Sequence, residues 1–102
     1  MKIIWSPLSV EKIEEIANYI REDNVNASIA WVKAVFSKIE RLKRYPKSGR
    51  IVPESEREDI REVIYRNYRI VYRVDKSRLI ILTIRHGKQL LPVDDVEQEN
   101  KM

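Results

Sequence analysis

The chain has 102 residues, of which 43% are apolar and only two are glycine, a composition typical of one packed globular domain and not of a disordered segment. It contains no cysteine, which excludes disulfide bonds, thiolate metal sites and a thiol nucleophile. The formal net charge of +4 is modest but unevenly distributed, since the stretch from Arg66 to Lys88 contains seven Lys or Arg residues and a single acid, Asp75. A basic stretch favours an anionic partner such as RNA, DNA or an acidic protein segment, and a charge-rich surface without a partner is the alternative.

The beginning of the chain carries no predicted targeting or membrane segment. Its first residues, MKIIWSPLSVEK, lack a long apolar region. No run of the sequence approaches the roughly 20 apolar residues of a membrane-spanning helix. We therefore expect a cytoplasmic protein without a membrane partner.

A short strand and a helix are predicted first. Residues 2–5, KIIW, read as a strand that ends at Ser6, and Ser6 can cap a helix that has Pro7 in its first turn. Apolar residues then recur with the helical period to about Arg21, at Ile13, Ile16, Ala17 and Ile20.

A second helix is predicted from a cap at Asn26 to about Arg44, and Pro46 ends it. Its apolar stripe consists of Val32, Val35, Phe36, Ile39 and Leu42. The short connection to the first helix predicts an antiparallel helical hairpin.

Three strands are predicted in the second half, after an irregular loop over residues 46–59. They cover residues 60–65, 68–75 and 79–86, and the tight turns between them predict an antiparallel meander. If Lys76 and Ser77 form the tip of the last hairpin, then Arg73 faces Ile80, Val71 faces Leu82 and Arg69 faces Ile84.

This register divides the last two strands into two faces, because side chains alternate along a strand. The face expected to meet the core carries Tyr68, Ile70, Tyr72, Val74, Leu79, Ile81, Thr83 and Arg85. The opposite face carries Arg69, Val71, Arg73, Ile80, Leu82, Ile84 and His86. Since that second face mixes apolar side chains with two arginines and the single histidine, function is expected there.

The predicted fold is α+β. An N-terminal strand joins one edge of a three- to four-stranded, mainly antiparallel sheet, and the helical hairpin packs on one face of that sheet. Residues 1–91 are expected to form this single domain, and residues 92–102 to form an acidic C-terminal tail.

Five pieces of sequence, in this order and spacing, resemble the RelE/ParE superfamily of toxins. They are Trp5-Ser6-Pro7, Tyr45-Pro46-Lys47-Ser48-Gly49-Arg50, Arg61-Glu62, Asn67-Tyr68-Arg69-Ile70-Val71-Tyr72-Arg73-Val74 and Arg85-His86-Gly87-Lys88-Gln89. The resemblance extends from Met1 to about Leu91. It implies a toxin of a type II toxin–antitoxin system that arrests growth when it is free of its cognate antitoxin. It also implies a heteromeric toxin–antitoxin complex and no cofactor.

The superfamily has two branches, and the resemblance allows both. RelE-like members cleave mRNA on the ribosome, so the chain would be a metal-independent endoribonuclease if it belonged with them. ParE-like members inhibit DNA gyrase and are not nucleases. The nuclease reading would assign catalytic roles to Arg69, His86 and Lys88. Arg69 matches a phosphate-contacting arginine of RelE-like toxins, His86 falls near the catalytic histidine of some nuclease members, and Lys88 lies just beyond it.

The ParE-like branch is favoured, because other nuclease positions do not match. The two lysines that RelE carries on the preceding strand fall here at Ile60 and Glu62, and the second arginine after the last strand falls at Gln89. The C-terminal tyrosine of RelE has no counterpart, since no tyrosine follows Tyr72. A histidine at a strand end is also more often a structural hydrogen-bonding group than a catalyst.

A third hypothesis is a non-toxic RNA- or DNA-binding module, for which exposed aromatic side chains would provide base stacking. Tyr68 and Tyr72 fall on the predicted core face, which leaves Tyr65 as the candidate.

The residues predicted to bind the antitoxin or a nucleic acid are Arg50, Arg69, Val71, Arg73, Leu82, Ile84 and Arg85. Among them, Val71, Leu82 and Ile84 are expected to form an uncovered apolar strip for an antitoxin segment, with residues 90–101 as its intramolecular competitor.

Overall fold

The structure, a computed structural model, describes residues 1–87 and 93–96 and has a two-layer α+β fold. Its sheet consists of β1 (Lys2–Trp5), β2 (Arg50–Ile51), β3 (Ile60–Tyr65), β4 (Tyr68–Asp75) and β5 (Arg78–His86), in the spatial order β1-β5-β4-β3-β2. β1 runs parallel to β5, and the other neighbouring strands are antiparallel. The second layer is made of α1 (Pro7–Asp23) and α2 (Val25–Leu42), and α3 (Val93–Val96) is a single turn against β5.

The predicted fold class is confirmed, with one more strand than expected. Arg50 and Ile51, placed in an irregular loop by the sequence, pair with Glu62 and Arg61 as β2. A two-residue strand is too short to show an alternating pattern, so the sequence alone could not reveal it. Within the part of the chain that the structure describes, no helix has both the length and the apolar character needed to cross a membrane.

The two helices begin at side-chain caps. The backbone N–H of Ser9 donates to the Ser6 hydroxyl at 3.0 Å, as predicted for α1. The cap of α2 is Asn24 and not the predicted Asn26, because the Asn24 side chain accepts a hydrogen bond from the N–H of Ala27 at 2.9 Å. One residue therefore separates the helices, and α1 and α2 pack against each other as a hairpin.

The main core lies between the helices and the sheet. Its buried members are Ile13, Trp31, Val35, Ile39, Leu42, Ile70, Tyr72, Leu79, Ile81 and Ile84. The stripe predicted for α2 was partly wrong: Trp31 is buried, whereas Phe36 remains 45% exposed and packs its ring against Trp5 at 5.2 Å. The α2 surface that meets the sheet is therefore rotated toward Trp31.

A β-bulge at Leu82 interrupts the predicted register of the last hairpin. Arg73 faces Ile80 and Tyr72 faces Ile81 as predicted, but Val71 faces Thr83, which leaves Leu82 as the extra residue. The bulge occurs where β1 ends: the N–H of Ser6 donates to the carbonyl of Ile81 at 3.0 Å, and the Ser6 hydroxyl donates to the carbonyl of Leu82 at 2.8 Å.

The bulge changes the face on which the last residues of β5 lie. Ile84 and His86 were predicted on the face opposite the helices, and the structure places them on the helical face, paired with Ile70 and Tyr68. Thr83 and Arg85 were predicted on the core face and lie on the opposite one. The extra residue reverses the alternation for every position beyond it.

Candidate functional site

The sheet face opposite α1 and α2, here called the non-helical face, carries four arginines, of which the sequence placed Arg69 and Arg73 there. Arg69 and Arg73 project from β4, Arg85 from β5 and Arg50 from β2. Arg73 lies between Ile60 and Ile80, whose side chains are buried on this face. Four cations on one side of a sheet would be expected to bind anions, unless acidic side chains of the same chain already neutralise them.

Two glutamates neutralise Arg69. Its Nε donates to Glu62 Oε1 at 2.6 Å, and its two terminal nitrogens each donate to a Glu54 oxygen at 2.8 Å. The second oxygen of Glu62 accepts from Arg50 Nε at 2.5 Å. We call Arg50, Glu54, Glu62 and Arg69 the ion-pair cluster.

Burial gives this cluster its importance. The Glu62 side chain is fully buried and that of Arg69 is 5% exposed, whereas Arg50 keeps 62% of its side chain in solvent. The hydrogen bonds to Glu54, opposed by burial and reinforced by Glu62, raise the pKa of the Arg69 guanidinium above its ordinary value. Arg69 therefore stays charged, and its charge is paired with carboxylates of the same chain. The cluster ties the segment from Arg50 to Glu54 to β3 and β4.

Arg73 and Arg85 also have acidic neighbours. Arg73 Nη1 lies 3.5 Å from Asp75, and Arg85 Nη1 donates to Asp95 of α3 at 3.1 Å. The Nε atoms of both arginines and the Thr83 hydroxyl are buried without a hydrogen-bond partner among residues 1–87 and 93–96. Buried donors of this kind favour an additional acceptor on this face.

The apolar strip predicted for the antitoxin is not uncovered. Val71 and Leu82 are buried with Val52 and Val96, in a second core cluster that also contains Ile60 and Ile80. Ile84 does not belong to the strip at all, since the bulge turns it to the helical face. The expectation failed because the loop before β3 and the turn α3 both fold back over the sheet, and neither could be placed from the sequence.

His86 lies away from the arginines. It is paired with Tyr68 across β4 and β5, and the two rings meet edge to face at 5.9 Å. Tyr68 in turn packs edge to face on Trp31 of α2 at 5.2 Å. His86 therefore shares the helical face with the core aromatics, while Arg69 belongs to the other side of the sheet.

The three residues of the nuclease hypothesis are thus not brought together. Arg69 and His86 project to opposite faces, and Lys88 lies outside the described residues. Within the described ranges no group of three acidic or histidine side chains is arranged to hold a metal ion.

Sequence reasoning missed the partners of Arg69. The sequence analysis gave Glu62 only as part of the family motif and as a position where RelE carries a lysine. The available signal was its position. Glu62 shares a strand face with Ile60 and Ile64, next to a strand that carries arginines on the same face, and opposite charges on neighbouring strands often pair. Glu54 lies in a loop without periodicity and offered no signal.

Comparisons with known proteins identify the family of the chain and a solved structure with the same fold. A family model described as "ParE toxin of type II toxin-antitoxin system, parDE" matches residues 3–91. A curated relative from Sinorhizobium fredii, named "Putative toxin Y4kP", is 29% identical over 93 residues, which span 89% of this chain and 93% of that protein. A solved structure, "Chromosomal ParDE TA system from P. aeruginosa", superposes with a TM-score of 0.71 at 19% identity and covers 86% of this chain and 97% of that one. That likeness shows the fold.

Proposed function

The chain belongs to the ParE toxin family of type II toxin–antitoxin systems, and we propose that it arrests growth by inhibiting DNA gyrase when its antitoxin is absent. This membership confirms the resemblance to the RelE/ParE superfamily and the preference for its ParE-like branch. The growth arrest and the gyrase target are the proposal.

The observation that carries the proposal is the separation of Arg69 from His86 by the sheet. Cleavage of RNA without a metal needs a general base, a general acid and cations that converge on one phosphate. Here the histidine packs among aromatic side chains on the helical face, and Arg69 is held by two carboxylates on the other. Because these carboxylates neutralise Arg69, it would also attract a substrate phosphate only weakly. This arrangement supports a toxin that acts by binding its target.

Replacing His86 with Gln tests this reading against a ribosome-dependent nuclease. If the role of His86 is structural, as its packing against Tyr68 supports, toxicity should change far less than the ~10²–10⁴-fold loss that follows removal of a general acid–base group. The measurement is growth after induction of equal amounts of parent and His86→Gln toxin, with antitoxin binding as the control for folding. Loss of toxicity with intact antitoxin binding, together with new mRNA 5′ ends on ribosomes, would overturn the gyrase proposal.

For the partner, we propose that the cognate antitoxin docks on the non-helical face and takes the place of α3. In the free chain, Asp95 pairs with Arg85 and the Val96 side chain, 1% exposed, packs with Val71 and Leu82. An antitoxin segment that offers an acid and an apolar side chain would make the same contacts. The unpartnered Nε atoms of Arg73 and Arg85 would provide further donors for its carboxylates.

The rate of antitoxin association tests this docking face. Arg85→Gln should slow association at low salt and approach the parent rate at high salt, because salt screens electrostatic steering. The matched control is Lys76→Gln, which removes an exposed charge at the distant β4–β5 turn and should leave the rate nearly unchanged. Equal rates for Arg85→Gln and the parent at low salt would rule out this face.

A further inference from the structure

Tyr45 is a large aromatic side chain left exposed just after α2. It is 59% accessible to solvent. Tyr45 lines three adjacent concavities. The first, of about 470 Å³, is also lined by Ser37, Glu40, Arg41 and Arg44, and the second, of about 390 Å³, by Pro46, Lys47 and Ser48. The third, of about 170 Å³, is also lined by Lys38, Arg41, Leu42, Ser48 and Val63. The Tyr45 ring therefore stands between open clefts. The expectation that Tyr65 is the candidate for base stacking overlooked Tyr45.

Positive charge surrounds this ring. Residues 38–50 contain six cations, Lys38, Arg41, Lys43, Arg44, Lys47 and Arg50, and one acid, Glu40. Glu40 pairs with Lys43 at 3.5 Å, and Arg50 is engaged by Glu62. Among residues 1–87 and 93–96, no carboxylate lies within ion-pair distance of Arg41, Arg44 or Lys47. The C-terminal end of α2 contributes only about half a negative charge, so the surface stays strongly positive.

Hydrogen bonds from Tyr72 of β4 hold the backbone that carries Tyr45 and Lys47. The Tyr72 hydroxyl donates to the carbonyl of Pro46 at 2.7 Å and accepts from the N–H of Gly49 at 3.0 Å. The N–H of Ser48 donates to the carbonyl of Tyr45 at 3.0 Å, which closes the turn between them. A ligand would therefore meet a preformed surface and would not have to order a loop, which lowers the entropic cost of binding.

We propose that Lys38, Arg41, Arg44, Tyr45 and Lys47, here called the Tyr45 surface, bind single-stranded nucleic acid. A base stacks on the Tyr45 ring, and the unpaired guanidinium and ammonium groups contact the flanking phosphates. An acidic protein segment would satisfy the cations but would leave the tyrosine ring unused, so the combination favours a nucleic acid. This activity is separate from gyrase inhibition, and it can be tested with the toxin alone.

The test is fluorescence anisotropy of labelled oligothymidylate and oligouridylate, each of about twelve nucleotides, the length range of small single-strand sites. The protein is the full-length chain, titrated at several salt concentrations. Tyr45→Ala should weaken binding about 5- to 150-fold, the range for loss of one base–aromatic stack. Tyr45→Phe keeps the ring and should bind within about twofold of the parent, since stacking does not need the hydroxyl. Binding to the DNA strand, the RNA strand or both supports the proposal, and the stronger of the two identifies the source.

Salt dependence tests the arginines independently. The double variant Arg41→Gln with Arg44→Gln should reduce the slope of log affinity against log salt by about 1.4, since each lost phosphate contact with a single strand removes ~0.7. The matched control is Lys2→Gln with Lys76→Gln, two exposed charges on β1 and the β4–β5 turn. Its slope should equal that of the parent. All these positions are exposed or half-buried, and equal melting temperatures verify that the variants are folded.

Two results would overturn the proposal. One is binding that is unchanged by Tyr45→Ala and equally reduced by both charge variants, which would mean diffuse attraction to any polyanion. The other is a polyglutamate peptide that displaces the oligonucleotide as well as unlabelled oligonucleotide does, which would assign the Tyr45 surface to an acidic protein.

Discussion

Replacing Glu62 with Ala is expected to lower the free energy of unfolding by about 3 kcal/mol, the low end of the range for breaking a buried ion pair. The fully buried carboxylate holds Arg69 at 2.6 Å and Arg50 at 2.5 Å. Without it, the Arg69 guanidinium loses the carboxylate that accepts from its Nε and stays buried with less compensation. Glu54 keeps the loss from reaching the upper end of that range. Urea denaturation of parent and variant measures the difference.

Glu40→Ala is the matched control for that experiment. Glu40 is 62% exposed and pairs with Lys43 at 3.5 Å, so its loss should cost less than about 1 kcal/mol, as for other surface pairs. Replacing Glu62 and Arg69 together with Met should recover much of the stability, because well-packed apolar side chains often replace a buried pair without loss. A Glu62→Ala variant that unfolds at the same urea concentration as the parent would show that the cluster does not stabilise the fold.

Gly49→Ala is expected to cost about 2 to 6 kcal/mol, the sum of overpacking and a disturbed buried hydroxyl. A Cβ atom at this position would lie 2.5 Å from the Tyr72 hydroxyl and 2.6 Å from the backbone carbonyl oxygen of Glu62. No real contact is that close, so the loop must move away from the sheet. Burial raises the pKa of the Tyr72 hydroxyl, which therefore remains protonated and keeps its hydrogen bond to Pro46 in the parent.

The control for Gly49→Ala is Ser48→Ala, one residue earlier and exposed. It should change the free energy of unfolding by no more than about 0.5 kcal/mol, as is usual for surface substitutions. Thermal unfolding compares the two variants. Equal melting temperatures for Gly49→Ala and the parent would mean that the loop from Pro46 to Gly49 is not held by Tyr72.

The sequence predicted the parts of the fold that depend on local periodicity and turn chemistry. The tip at Lys76 and Ser77 set the pairing of Arg73 with Ile80, and the alternation from Tyr68 to Val74 identified the core face of β4. The bulge at Leu82 is hydrogen-bonded by Ser6, which is distant in sequence and reaches β5 only in the folded chain. Its effect on Ile84 and His86 could not be predicted from the strand itself.

The candidate site was predicted less completely, because its contacts also come from segments that are distant in sequence. Arg69 and Arg73 were correctly placed on a common face, because both lie on β4, whose alternation the bulge at Leu82 of β5 does not change. The neutralising contact from Glu54 and the covering contact from Val96 come from segments without a periodic pattern. A surface that the sequence described as open and basic is consequently closed and largely neutralised in the structure.

The supercoiling activity of purified DNA gyrase tests the central proposal most directly. Relaxed plasmid, ATP and gyrase are incubated with the full-length chain, with and without its antitoxin, and the topoisomers are separated on a gel. We predict that the chain alone inhibits supercoiling, that its His86→Gln variant inhibits equally, and that the antitoxin restores activity. Full supercoiling in the presence of excess toxin that still arrests growth in cells would contradict the proposal.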